Sequence, residues 1–274
     1  MDLIHENRAA IALAELHNTD LPEANKMMNN SQVWLIAHNS IIQSLTEQMA
    51  FITAVNIAKR VFLGGVNCIL PELVPNLLVL KSDSFKDLVI RYGGILTTVT
   101  PDKNDVKLLF GVECYDDNCL EVVAEGWRGG VNFHDQERII FAKKDNPISL
   151  GPVAAASLAC YFAFCKIFKL IDSDFVINTG VSLWNINSGT EWYKNLNDGP
   201  RNINMPRKIW ALGLGHLGQA YLWTVGLMSF SDPSQVLFLL QDDDTVENEN
   251  IGSQVLCNNS NIGFPKTRAC LKFL

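Results

Sequence analysis

The chain has 274 residues, 48% of them hydrophobic, which is enough for one large or two ordinary domains with packed cores. A formal net charge of −7 offers no broad basic face and argues against nucleic-acid backbone binding as the main task. Seven cysteines form no Cys-x-x-Cys pair, so reduced cytosolic thiols are expected rather than a zinc site or a disulfide framework.

Taken in order, Met1-Asp2-Leu3-Ile4-His5-Glu6 lacks the basic start and apolar core of a signal peptide, and a cytoplasmic protein is expected. Leu3, Ile4, Ala10, Ile11, Leu13, Ala14 and Leu16 make a helical stripe over residues 3–17, with Arg8 read as surface charge. Residues 18–30 are a polar connection with a short helix after Pro22. Val33 to Ala37 is strand-like and runs through His38-Asn39-Ser40 into a helix ending near Lys59. Another apolar run comes next, at Val61-Phe62-Leu63.

Short β-rich segments are predicted at Asn76–Leu80, Leu88–Tyr92, Ile95–Val99, Val106–Phe110, Leu120–Ala124 and Arg138–Ala142. Cys114 and Cys119 bracket the acidic turn Tyr115-Asp116-Asp117-Asn118, which suits a hairpin. Gly126 to Gly130 reads as a glycine turn with a packed Trp127. Gly151-Pro152 opens the most apolar helix, with proline in the first turn where its missing N–H costs nothing. The apolar run Val153–Phe164 is shorter than the ~20 residues a bilayer requires, so a buried helix and no membrane contact are expected. Its small residues, Ala154, Ala155, Ala156, Ser157 and Ala159, permit close packing. Phe175-Val176-Ile177 reads as a strand, and the Asn-, Gly-, Ser- and Pro-rich stretch 185–204 as a linker.

The nucleotide signal lies in the last quarter. A strand, Lys208 to Leu212, leads into Gly213-Leu214-Gly215-His216-Leu217-Gly218, then a helix from Gln219 to Met228, then a strand from Gln235 to Leu240. Gly-x-Gly-x-x-Gly between strand and helix brings phosphate oxygens against backbone N–H groups at a helix N-terminus. Gly213 permits the turn, Gly215 the approach of a ligand, and Gly218 the packing of helix on strand. An acid after the second strand, here Asp242, commonly holds a ribose hydroxyl, which fits ATP and NAD alike.

The residues beyond that acid separate ATP from NAD. Asp242-Asp243-Asp244-Thr245-Val246, then Asn250 to Gln254, then Gly263-Phe264-Pro265-Lys266 resembles the ATP-binding core of the ThiF/MoeB superfamily, relatives of the ubiquitin-activating enzymes. That family's pattern is D-x-D-x-V, S-N-x-x-R-Q and G-x-P-K. The resemblance implies an α/β, Rossmann-like ThiF-type adenylation fold that uses ATP and Mg2+. Its substrate would be the C-terminal carboxylate of a ubiquitin-like or sulfur-carrier protein, and its assembly a homodimer. Residue by residue, it implies Gly213, Gly215 and Gly218 as the phosphate loop and Asp242 at the ribose. Asp244 would lie near the nucleotide and its metal, and Asn250 and Lys266 at the phosphates. The family arginine falls on Ser253, which carries no charge. The family's later strands, metal-binding aspartate and substrate groove would lie beyond Leu274, leaving the C-terminal half incomplete.

The segment Trp34 to Gln43 aligns with Trp210 to Gln219, with Ala37, Asn39 and Ile42 at the glycine positions. An internal duplication on this basis would leave a first copy unable to cradle phosphate, because Cβ atoms occupy the approach. The organisation expected is therefore a helical segment at 1–30, a degenerate Rossmann-like half at 31–185, a linker at 186–206 and the start of an ATP-binding domain at 207–274. Two other readings stay open: an inactive pseudoenzyme or scaffold of the same family, and a nicotinamide oxidoreductase resting on the glycine motif alone.

Overall fold

The computed structural model describes residues 7–141, 146–171, 177–194 and 199–273. It divides into two compact units: one combines residues 1–29 with 203–274, and the other holds residues 30–202.

The chain begins in the first unit with α1 (Arg8–His17) and α2 (Leu21–Asn30). Asn7 caps α1 by accepting from the Ala9 N–H, and Asn18 closes it in the left-handed conformation at φ 51°. Ala10, Leu13, Ala24 and Met28 are buried; Leu3 and Ile4 of the predicted stripe lie outside the described residues.

The second unit is an α/β, Rossmann-like arrangement. Its strands are β1 (Gln32–Ala37), β2 (Gly65–Ile69), β3 (Ile95–Leu96), β4 (Lys107–Phe110), β5 (Cys119–Glu125), β6 (Arg128–Phe133) and β7 (Thr179–Ser182). They form a seven-stranded sheet in the order β3-β2-β1-β4-β5-β6-β7. β3, β2, β1, β4 and β5 pair in parallel, and β6 and β7 antiparallel. The helices are α3 (Leu45–Ala58), α4 (Phe85–Arg91) and α5 (Leu150–Ile167). Ser44 caps α3, whose residues are buried almost all round because it lies between the sheet and α5. The expected buried helix is α5, with Ala155, Ala156 and Ala159 fully buried.

Several local expectations are corrected. Leu88–Tyr92 is not β-rich but the end of α4, where Ser84 accepts from the Asp87 N–H and Phe85, Leu88 and Val89 bury one helical face. Val61-Phe62-Leu63 is a turn, and the strand starts at Gly65. Asn76–Leu80 and residues 138–141 are irregular, and Ala142 lies outside the described residues. β4 and β5 are no hairpin but a parallel pair, Lys107 opposite Cys119. The cause is Lys107, buried at 1% exposure. Its ammonium binds Asp116 at 3.1 Å and the Asp105 carbonyl at 2.8 Å, folding the connection back to the starting end of β4. The hairpin is instead β5–β6, turning at Gly126-Trp127 with Gly126 at φ +56°. Phe175 and Val176 lie outside the described residues, and the nearby strand is β7. Within the stretch read as a linker, Trp192 is 1% exposed and packs with Val123 and Ile139, its ring over Gly130 and Gly180.

The rest of the first unit is β8 (Lys208–Leu212), α6 (His216–Gly226), β9 (Leu237–Gln241), α7 (Asn248–Ile251) and α8 (Lys266–Leu271). β8 and β9 are parallel, Lys208 opposite Leu237 and Leu212 opposite Gln241. The order β8–α6–β9 matches β1–α3–β2, so both units hold a parallel β-α-β at the segments that align in sequence. Ala211, Phe238 and Leu240 pack with Leu214, Leu222 and Cys270 on one face. Trp210, Leu212, Leu237 and Leu239 are exposed on the other.

Candidate functional site

Where β8 ends, the chain turns through Gly213 at φ +81°, a conformation that favours glycine, and its N–H bonds to the Gln241 carbonyl at 2.9 Å. A Cβ at Gly213 or Gly215 would meet nothing within 4 Å, so the space above both is open. At Gly218 a Cβ would lie 2.0 Å from the Gly213 carbonyl oxygen. Two glycines thus hold an open floor, and the third lets α6 close onto the turn. Gly215 caps α6 without a side-chain bond, leaving the first-turn N–H groups to an external acceptor.

Asp242, just after β9, joins this loop to the next. Its carboxylate accepts from Leu214 N–H at 2.5 Å and from Asp244 N–H at 2.9 Å. Asp244 pairs with Lys266, Nζ to Oδ2 2.6 Å, and the Lys266 N–H donates to the Asp244 carbonyl at 3.0 Å. Val246 donates to Phe264 at 2.8 Å, and Gly263 to Val246 at 2.9 Å. The Asp-x-Asp-x-Val and Gly-x-Pro-Lys segments are therefore a small ladder, which is why their spacing matters. Burial works to lower the Lys266 pKa, but the bond and charge of Asp244, with Asp242 behind it, hold the ammonium above its ordinary range. Asp242, Asp243 and Asp244 each present an oxygen within 4.8 Å of the others. In the other unit Asp117, His134 and Asp135 are similarly close, with both carboxylates exposed.

Asn250 is buried, and its carbonyl oxygen accepts from Glu247 N–H at 2.9 Å, closing a capping box on α7. Ser253 turns its hydroxyl to the Glu249 carbonyl at 3.1 Å. The seven predicted site residues thus lie in one unit, with Asp242 on the glycine loop and Asp244 on Lys266.

Gln219 supports this site without having been predicted for it, and His216 and Arg8 lie near it. Gln219, fully buried behind Gly218, donates to the Leu214 carbonyl at 2.8 Å and to Gln254 at 2.7 Å, and accepts from Leu256 N–H at 2.9 Å. A lone amide on an apolar helix was the signal for it. Replacing it with leucine leaves these buried groups unpaired and is expected to destabilise this unit by about 2–4 kcal/mol. Chemical denaturation would show it; a change below ~1 kcal/mol contradicts the assigned role. His216 opens α6 with a buried Nε2 that has no partner among the described residues. Burial, then the charges of Arg8 and Lys266, hold its pKa below the ordinary value, with Glu249 opposing. Arg8 is exposed on α1, in keeping with surface charge, yet it acts on a residue two hundred positions away, a proximity no local pattern reveals.

A family model described as the BilD N-terminal domain matches residues 32–174, and one described as the BilD C-terminal domain matches residues 205–274. The bacterial E1-like protein BilD of Collimonas sp. (strain OK412) is 28% identical over 242 residues, covering 85% of this chain and 50% of the relative. The chain spans about half the length of that curated relative.

Proposed function

This chain belongs to the BilD family, and on that premise we propose that residues 207–273 form the ATP-binding part of an E1-like adenylation module. The curated relative's name carries the E1-like relationship. The finer reading is that the module, of ThiF/MoeB type, activates the C-terminal carboxylate of a ubiquitin-like or sulfur-carrier protein as an acyl-adenylate. One observation carries it: an open glycine floor, an uncapped helix N-terminus and the Asp244–Lys266 pair meet in one unit.

In such a reaction a carboxylate attacks the α-phosphorus of ATP and pyrophosphate leaves. The residues divide that work by their chemistry. Gly213 and Gly215 admit phosphate oxygens to the backbone, and the first-turn N–H groups of α6 donate to them. Lys266 supplies a cation, held ready by Asp244. Asp242 shapes the loop through Leu214 and keeps lone pairs on both oxygens for a ribose hydroxyl. Asn250 uses its carbonyl oxygen as a cap, which leaves its amide nitrogen as a phosphate donor. Asp242, Asp243 and Asp244 would hold the Mg2+ that neutralises the triphosphate.

A pseudoenzyme is the second reading, favoured by Ser253, an uncharged residue whose hydroxyl bonds within its own segment. Titration of MgATP and of NADH into the chain separates the readings. Micromolar MgATP binding with no NADH binding supports the adenylation site. No ATP binding supports the scaffold, and NADH binding in its place sinks the assignment.

A further inference from the structure

Resting on the nucleotide reading, we infer that Gln219 is a positioning residue of this site. It fixes the peptide between Leu214 and Gly215 so that the Gly215 N–H faces an incoming phosphate oxygen.

Leu214, buried between the first two glycines of the loop, is clamped from both sides. Its N–H donates to Asp242 Oδ2 at 2.5 Å, and its carbonyl accepts from Gln219 Nε2 at 2.8 Å. Gln219 is immobilised in turn. It is fully buried, donates its second N–H to Gln254 Oε1 at 2.7 Å, and accepts from the Leu256 N–H at 2.9 Å. The Gln254 N–H donates to the Asn250 carbonyl at 2.8 Å, so one amide ties the glycine loop to the segment that carries Asn250.

The two ends of a planar trans peptide point in opposite directions. With the Leu214 carbonyl turned inward onto Gln219, the Gly215 N–H is turned to the other side. That N–H has no partner among the described residues, and Gly215 is partly exposed with open space at its Cβ position. Without a Cβ at Gly215, rotating this peptide by half a turn meets little steric resistance. The rotated form presents a carbonyl oxygen in place of the N–H and repels phosphate. A flexible glycine therefore needs an anchor outside the loop, and a donor fixed in advance costs no reorganisation on binding.

Side chains at position 219 divide by what they can donate. Methionine fills the space and holds nothing. A protonated glutamic acid donates its O–H to Leu214 and accepts from Leu256, whereas an ionised one has no donor and repels the Leu214 carbonyl. Burial raises the pKa of a carboxylic acid, so the donating form returns as pH falls. The titratable side chains against this position are Cys257, whose Sγ lies 3.3 Å from Gln219 Nε2, and Asp242 across Leu214.

The test is calorimetric titration of MgATP into the full chain, Gln219→Met and Gln219→Glu at pH 6 and 8, with circular dichroism to verify folding. The expected result is affinity lowered about ten-fold or more in Gln219→Met at unchanged stoichiometry. Gln219→Glu matches the methionine variant at pH 8 and recovers towards the parent at pH 6, each read as a ratio to the parent at the same pH. A purely structural role would lower the stoichiometry, as unfolded chains drop out, and leave the affinity of the folded ones unchanged. That pattern overturns the inference, as does a Gln219→Glu ratio that is the same at both pH values. If the parent chain binds no MgATP, the nucleotide reading falls and the inference with it. If the parent binds and Gln219→Met binds equally, only the role of Gln219 falls.

Discussion

Replacing Lys266 with alanine is expected to weaken MgATP binding about ten- to a hundred-fold while leaving the fold in place. A charge-assisted bond from an ammonium to a phosphate oxygen contributes about 1.5–3 kcal/mol. The loss is larger than for a surface lysine, because Lys266 is 7% exposed and its ammonium is held by Asp244. Removing it also strips Asp244 of its counter-charge. Titration of the variant, with circular dichroism to verify folding, checks this; affinity within two-fold of the parent contradicts the phosphate role.

Gly129→Val is expected to have the largest effect on stability, about 3 kcal/mol or more. A Cβ there would lie 2.0 Å from the Gly151 carbonyl oxygen and 2.9 Å from the Ala155 nitrogen. Both are backbone atoms of α5, so no side chain can swing aside. Gly151 meets the same wall from the other side, its Cβ position 2.2 Å from the Arg128 carbonyl oxygen. Strand β6 and helix α5 touch through bare backbone, and any added carbon forces the helix off the sheet. Gly189→Ala is the control. That glycine has open space around it but sits at φ +53°, so its cost is limited to about 1–2 kcal/mol of left-handed strain. Equal denaturation midpoints for the two variants would contradict the packing argument.

The readable parts of the chain were those that local chemistry dictates. Gly213 and Gly218 are legible as a strand-to-helix turn, because Gly213 takes φ +81° and a Cβ at Gly218 would strike the Gly213 carbonyl, and the apolar run after Gly151 reads as a buried helix. The α/β class and a mostly parallel sheet are legible in strands alternating with helices. The parts that stayed hidden depend on distant partners. Lys107 sits in a sequence that alternates like any strand, yet its buried ammonium turns an apparent hairpin into a parallel connection. Leu88 and Val89 fit a strand or a helix equally, and the cap from Ser84 decided for the helix. At the site, the motif residues were legible by their spacing. Arg8 and His216 were not, since an arginine and a histidine declare no role until their neighbours are known, and Gln219 showed only as a lone amide on an apolar helix. The outline match of Trp34 to Gln43 with Trp210 to Gln219 gains weight from topology, because both segments begin a parallel β-α-β.

ATP–pyrophosphate exchange tests most directly whether this site forms an acyl-adenylate. The full-length protein is supplied with MgATP, labelled pyrophosphate and a ubiquitin-like or sulfur-carrier protein ending in a free carboxylate. Label entering ATP only when that carboxylate is present, and lost in Lys266→Ala, is the result predicted for acyl-adenylate formation. No exchange with any such carrier, by a protein that binds MgATP, would contradict it.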